Sequence, residues 1–417
     1  MTSILAKKVP NKFRPKAAPH DFLCLDMAQQ AHALNLRFDF HLNHKRPQKE
    51  MLDVFVEFLL KTVPEYPAKD PKTGLQTKNH KWRVVSALQK CIRRGDADFA
   101  RRCGSALMSG GEGDKLWHRL GVIAIEDIGL ANPYLVAMVM LLSTRKGLRA
   151  QIGPRVVAFW AIDQLCKTAK SRDLTDLAVN ILIGDPEDEI SNVATIPKPL
   201  DIFADESQTI MQRSVAHFAM FNKSVGLDKK LPIRICSPSD RAYAYSNIGL
   251  PTLLRYLCEK PVSAFNEPLG APVPFIWSLM CQSDTMAIRK DPYYMQEYAL
   301  IERLPAQAFD QFTYEGKRAV SYFMKSCSEV KKFLDDANVF NEEDRRALIY
   351  EAIFYTEGGS LGTKRLTYDG WHKLFQELLT RYMIRYGLSG KNETFEFCDV
   401  VYNSIDTLNV ARKRVLR

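Results

Sequence analysis

Three absences bound what this sequence can do. No stretch approaches the ~18 consecutive apolar residues of a membrane-spanning helix; the longest apolar run, Tyr134–Leu142, is half that. No two of the nine cysteines (24, 91, 103, 166, 236, 258, 281, 327, 398) stand in a CxxC spacing. In a chain of this size they read as reduced core thiols, not as a disulfide framework or zinc site. No phosphate-cradling loop of the form GxxxxGK followed by Ser or Thr occurs. The glycine-containing stretches Gly110–Lys115, Gly358–Lys364 and Gly387–Lys391 have the wrong spacing. Nor does the N-terminus join its lysines to an apolar stretch and a cleavage site, so no secretory signal is expected. These readings predict a cytoplasmic protein with no membrane, metal or cofactor requirement and no catalytic residues.

What is present is an ordinary globular composition: 417 residues, 46% hydrophobic and 25% charged. That length suggests two or three packed units. The net charge of +10 is unevenly spread: +8 over residues 1–90, +4 over the last six residues and −2 over the rest. Basic ends are what a phosphate backbone attracts, because neutralising phosphates releases condensed counterions. The first twenty residues hold Lys7, Lys8, Lys12, Arg14 and Lys16 with no acid; Lys45 and Arg46 follow, and Arg412, Lys413 and Arg414 close the chain. His41 and His44 are paired, but no Cys or acid stands at a ligand spacing nearby.

Helical periodicity dominates the rest. Met51, Leu52, Phe55, Phe58, Leu59 and Val63 share a face over 48–63, and a linker with Pro64, Pro67, Pro71 and Gly74 follows. From Trp82 the stripes are short and regular. Val84, Val85, Leu88, Cys91 and Ile92 form one; Asp96 caps a second helix with Phe99, Cys103, Ala106 and Leu107 inside. Leu116, Trp117, Leu120, Ile123 and Ala124 form a third, Asn132-Pro133 opens a fourth and Pro154 a fifth, and a sixth runs from Asp173 to Ile183. Phe159–Gln164 resembles a Walker B strand only superficially, since it lies inside the fifth helical pattern. Helices are predicted at 206–224, 250–258, 315–334, 343–355, 371–386 and 394–415, with a proline-rich connector at 259–275 and one short strand candidate, Leu231–Cys236. The expected class is all-α. The expected parts are a basic arm, one helix and linker (1–80), a compact helical domain (81–190) and a helical C-terminal region with a basic tail (191–417).

Two segments carry a resemblance. Residues 86–100, and Ile123 through Glu126-Asp127-Ile128-Gly129-Leu130-Ala131-Asn132-Pro133, resemble the helical region beyond the ATPase core in RarA/MgsA-type replication-associated recombination ATPases, relatives of clamp loaders. Lys170-Ser171 falls near a Lys-Ser pair of the same family, and the likeness covers roughly 82–185. The nucleotide-binding module that should precede it has no counterpart in the 80 residues before it. The resemblance therefore implies a clamp-loader-collar-like helical domain working without a motor, in DNA transactions and protein contacts. It leaves homo-oligomerisation open.

Glu126 and Asp127 stand at a helix C-terminus, where the macrodipole disfavours acids. They read as acceptors pinning a tight corner, with Gly129 supplying a left-handed turn and Asn132 and Pro133 starting the next helix. The alternative is a paired-carboxylate metal or acid/base site. Arg83, Lys90, Arg93, Arg94, Arg101 and Arg102 avoid the apolar stripe of the first hairpin and are expected to project outward as a phosphate track. Tyr243 and Tyr245, beside Arg241, are candidates for base stacking. The expected function is a non-enzymatic nucleic-acid-binding accessory protein, single-stranded DNA favoured, in replication, recombination or transcription. Compactness and the missing motor fit a phage or mobile-element origin. The alternative is an assembly factor that recruits a polymerase, helicase or AAA+ partner.

Overall fold

The computed structural model describes residues 47–67, 71, 74, 75, 77, 78, 80–183, 199–221, 236–265, 268–290, 298–359 and 364–416. The chain is all-α, with 19 α-helices and short strands among these residues. The first eight helices are α1 (Gln48–Thr62), α2 (Lys81–Arg94), α3 (Ala97–Ser109), α4 (Gly113–Ile123), α5 (Pro133–Thr144), α6 (Lys146–Ile152), α7 (Pro154–Lys167) and α8 (Asp173–Ile183). Then come α9 (Pro199–Ala204), α10 (Ile210–Ala219), α11 (Pro238–Asn247), α12 (Thr252–Phe265) and α13 (Val273–Gln282). Strands β1 (Ala287–Lys290), β2 (Leu300–Ile301) and β3 (Leu304–Pro305) precede α14 (Tyr314–Ser326), α15 (Ser328–Asp336) and α16 (Glu342–Ile353). Strand β4 (Lys364–Thr367) leads to α17 (Trp371–Arg385), α18 (Lys391–Asn403) and α19 (Ile405–Val415).

Two apolar cores result. The larger gathers side chains from Met51 to Phe309 and adds Leu366, Tyr368 and Leu378 from late in the chain. Its axis is α5, where every residue from Pro133 to Leu142 is buried. A helix apolar all round must lie inside a core or a membrane, and here α4, α7 and α12 pack around it. Among the described residues no helix is long and apolar enough to cross a membrane. The smaller core, Ala319 to Ala411, joins α14, α15, α16, α17, α18 and α19. The eight described cysteines are all buried.

The connector expected at 259–275 is largely helix. Helix α12 runs through Pro261 to Phe265. A proline there costs the carbonyl four residues earlier its helical donor, and Gly270 packs directly over that turn. A Cβ on Gly270 would collide with the carbonyl oxygens of Leu257 and Cys258. The candidate strand at Leu231–Cys236 lies outside the described residues except Cys236, which is in no strand. The observed strands pair elsewhere: β1 antiparallel to β4, Ala287 opposite Thr367, and β2 to β3. Strand β4 also accepts a peptide from the larger core. Lys170 N–H donates to Lys364 O at 3.0 Å and Leu366 N–H to Lys170 O at 2.9 Å, which fixes β4 to the segment between α7 and α8.

Candidate functional site

The cores enclose a cavity of about 900 Å³ between α2, α4 and α8 on one side and the 310–313 loop, α16 and α17 on the other. Its floor is the corner that follows α4. Helix α4 unwinds through one wide turn, Ala124–Ile128, and then Gly129 reverses the chain at φ +49°. A side chain there would be strained by that backbone, and a Cβ would stand 3.3 Å from Ser171 O. Asn132 accepts from Leu135 N–H at 3.0 Å and caps α5, with Pro133 in its first turn. The corner's carbonyls are met from the start of α8 and the residues before it: Ser171 N–H donates to Asp127 O at 3.0 Å and Thr175 Oγ1 to Glu126 O at 2.9 Å.

Asp127 is fully buried and accepts from Arg93 Nε and Arg172 Nη1, each at 2.7 Å. Both guanidinium groups also cover the Phe354 ring, at 5.3 and 4.8 Å from its centroid. Burial alone would push the Asp127 carboxyl up; Arg93 and Arg172 outweigh it and hold the pKa below the usual aspartate value. Gln89 Nε2 bridges Glu126 at 2.6 Å and Asp127 at 3.2 Å, while Arg119 donates to the Gln89 carbonyl. Lys90 donates to Asp310, which also accepts from Ser86 Oγ at 3.1 Å. Lys170 is buried with its ammonium on the carbonyls of Leu165, Cys166 and Thr168 at 2.7–3.0 Å, and burial pulls its pKa down to about 8.

Two lining carboxyls differ from these. Asp176 has Arg172 Nε at 3.7 Å, and Glu351 has no ion pair among the described residues. Burial pushes Asp176 up to about 6 despite Arg172. Burial and then the neighbouring Asp176 push Glu351 up to about 7. Aromatic rings supply the remaining wall: Tyr355 and Phe375 lie at 5.6 Å and 20°, nearly parallel.

The hairpin cations do not form the outward track that their helical positions suggest. Lys90, Arg93 and Arg94 are buried. The polar face of α2 is covered by the corner and by the 306–313 segment, so these cations meet carboxylates and rings instead of solvent. Arg94 lies over the Tyr298 ring at 5.2 Å and Arg102 over Phe99 at 4.7 Å. Arg83 bridges Glu302 and Glu315, and Arg101 pairs with Asp98 and Asp163, each at 3.1 Å. In the tail, Arg412 is 1% exposed and held by Glu357 at 3.0 and 2.7 Å, whereas Lys413 and Arg414 are exposed. Tyr245 is likewise unavailable for stacking. It is 2% exposed, with its hydroxyl 2.8 Å from His217 Nε2, while Tyr243 is exposed on the same helix. Burial drops the His217 pKa to about 3, so the ring is neutral. Lys7, Lys8, Lys12, Arg14, Lys16, Lys45, Arg46, His41 and His44 lie outside the described residues.

An exposed basic surface does exist, in a place the hairpin argument missed. Helices α14 and α19 pack side by side and present Lys317, Arg318, Lys325, Lys413 and Arg414. None of the five has an ion pair among the described residues. Two tyrosines lie among them: Arg318 is 5.7 Å from the Tyr314 ring and Arg414 is 4.4 Å from Tyr322. Tyr314 is 71% exposed. The signal was available as the polar face of the helix predicted over 315–334.

Over 85 residues, the sequence is 36% identical to Replication-associated recombination protein A of Bacillus subtilis (strain 168). A region of this chain is similar to that protein. The match covers 20% of this chain and 20% of the relative, so the chain spans about a fifth of the length of the protein it matches. No protein-family model matches the sequence, and no solved structure matches it.

Proposed function

We propose that this protein is a non-enzymatic accessory factor of replication or recombination that binds single-stranded DNA through the α14–α19 face. The observation that carries the reading is the row Lys317, Arg318, Lys325, Lys413 and Arg414, cations without carboxylate partners among the described residues, with Tyr314 and Tyr322 between them. Phosphates pair with free cations, and exposed rings offer bases a sequence-tolerant stacking surface. The partial similarity to a replication-associated recombination protein supports the process. The basic N-terminal stretch adds charge of the same sign, and the site of action is the bacterial or phage-infected cytoplasm.

The test is a titration of labelled single- and double-stranded oligonucleotides at several salt concentrations. Each phosphate neutralised on a single strand contributes roughly −0.7 to the slope of log affinity against log salt, so the five cations together contribute about −3.5. Single strands bind more tightly than duplex, with little dependence on sequence. A slope near zero would overturn the reading in favour of an assembly factor for a polymerase, helicase or AAA+ partner.

A further inference from the structure

The cavity is not used by that reading, yet it has the size and lining of a ligand site. We propose that it seats an arginine side chain of a protein partner, with the guanidinium on the Glu351 carboxylate and against the Tyr355 ring. The inference is independent of the strand-binding face above.

About 900 Å³ falls within the range of roughly 300–1,000 Å³ typical of small-ligand pockets. That is room for one long side chain and the residues beside it. Charge then decides the sign of the occupant. Six cations line the cavity, and each already faces a carboxylate: Lys90 has Asp310, Arg93 and Arg172 share Asp127, Lys115 has Glu112, Arg119 has Glu126 and Arg365 has Asp173. A phosphate entering here would have to displace one of those acids. Among the lining acids, Asp114 and Asp310 are engaged by Lys146 and Lys90, and Glu126 by Gln89 and Arg119. Glu351 is the exception. It has neither an ion pair nor a hydrogen bond among the described residues.

Helix α8 supplies acceptors of the same kind. Asp176 lines the cavity and accepts no hydrogen bond among the described residues, with Arg172 Nε 3.7 Å away. One turn on, Asn180 also lines the cavity and is only 7% exposed. Its amide nitrogen donates to Asp176 O at 3.0 Å, so the other end of the amide is its oxygen. That oxygen receives no donor among the described residues. A ligand for this wall must therefore donate and carry positive charge, which leaves lysine and arginine among side chains.

The rings choose between them. Tyr355 follows Glu351 by four residues, in the wide turn Phe354–Gly358, and lies nearly parallel to Phe375. A planar guanidinium can lie flat on such a ring while its fork meets a carboxylate; an ammonium cannot. The same wall already holds that pairing within the chain. Arg93 and Arg172 cover Phe354 while bonding Asp127, and Arg365 lies 4.4 Å from the Trp371 ring and 3.5 Å from Asp173. Glu351 with Tyr355 repeats the carboxylate and the ring, and the partner supplies the arginine. Trp82 and Phe312, 58% and 69% exposed, also line the cavity and offer apolar contact to the residues flanking that arginine.

Calorimetric titration of the full chain with an acetylated, amidated Gly-Leu-Arg-Leu-Gly peptide tests the proposal, beside versions with citrulline or lysine in place of arginine. The arginine peptide binds. The citrulline peptide, equal in shape but uncharged, binds at least about tenfold more weakly. The lysine peptide, a point charge without the planar fork, binds about fivefold more weakly. In Glu351→Gln the arginine peptide loses about tenfold and the citrulline peptide is unchanged, a change of ranking that mere destabilisation does not produce. Asp114→Asn, at a lining acid already matched to Lys146, leaves arginine-peptide affinity within about twofold. Equal affinity for the arginine and citrulline peptides, or no peptide binding, overturns the site. A lysine peptide that binds as tightly as the arginine one overturns the guanidinium assignment. Oligonucleotide affinity that falls in Glu351→Gln while no peptide binds also overturns the proposal, in favour of a nucleic-acid pocket. The two readings fail separately. A variant carrying Lys317→Ala, Arg318→Ala, Lys413→Ala and Arg414→Ala loses oligonucleotide affinity under the reading above, while its arginine-peptide binding is unchanged.

Discussion

Helix α2 and the α14–α19 pair carry nearly the same pattern in sequence: an apolar stripe with lysines and arginines opposite. On α2, Lys90, Arg93 and Arg94 are buried, and Lys90 and Arg93 are matched to the carboxylates of Asp310 and Asp127. On α14 and α19, Lys317, Arg318, Lys325, Lys413 and Arg414 stand in solvent with no ion pair among the described residues, and Arg412 alone turns inward onto Glu357. The difference is the number of layers. Helices α14 and α19 have a core on one side only, whereas α2 is packed on both, so its polar face had to be neutralised within the protein. A helical wheel reports which residues avoid the first core. It cannot report a second surface folded against the polar side.

If α2 is a neutralised interior and α14–α19 a free surface, substitutions in the two places must fail differently. The largest effect is expected at Asp127→Ala, which leaves Arg93 and Arg172 buried without their shared counter-ion. A loss of about 3–5 kcal/mol in denaturant unfolding is expected, and a loss under 1 kcal/mol would place this cluster in solvent. The pH dependence has a definite sign. Because the Asp127 pKa is lowered on folding, its contribution is present above the unfolded value and is lost as pH falls through the folded one. Next comes the quadruple alanine variant of Lys317, Arg318, Lys413 and Arg414. It flattens the salt slope by about 2.8, at roughly 0.7 per cation, with circular dichroism and melting unchanged. A variant that unfolds instead would erase the contrast.

Glu351→Gln gives the third effect. Folding raises the Glu351 pKa to about 7, so its favourable share is complete below the unfolded value and is lost as pH rises through 7. The variant should be more stable than the parent by about 1–3 kcal/mol near pH 8 and nearly equal near pH 4. Equal stability at both would mean a solvated carboxyl. The smallest effects belong to the two tyrosines of α11. Tyr245→Phe removes a buried hydroxyl from His217 and should cost about 1 kcal/mol. Tyr243→Ala should stay within about 0.5 kcal/mol.

Most of the fold was legible because the helices announce themselves locally. Asp96 and Asn132 were readable as caps, and α8 begins and ends at the predicted residues, Asp173 and Ile183. Breaks that keep the apolar phase were not. The helix expected over 315–334 is two, separated at Cys327, and that over 394–415 is two, separated at Ser404. In both places one residue leaves the helix while the stripe continues. Helix α11 was overlooked although Ser237 and Asp240 form a capping box ahead of it. The polar cluster was beyond local reading, because Arg93 and Arg172 reach Asp127 from 34 and 45 residues away. The free cations of α14 were local and simply outweighed by the attention that terminal charge attracts.

The segment between α7 and α8 doubles as a chemical clock. Lys170 sits beside the peptide that joins β4, and all three of its ammonium protons are committed to backbone carbonyls. An acylating reagent needs a free amine lone pair, and Lys170 can supply one only after that cage opens. Lys317, Lys325 and Lys413 are exposed and should be acylated at once. Lys170 should lag by the rarity of the opening event. Its labelling rate, followed by mass spectrometry, would then measure how often the C-terminal turn of α7 opens.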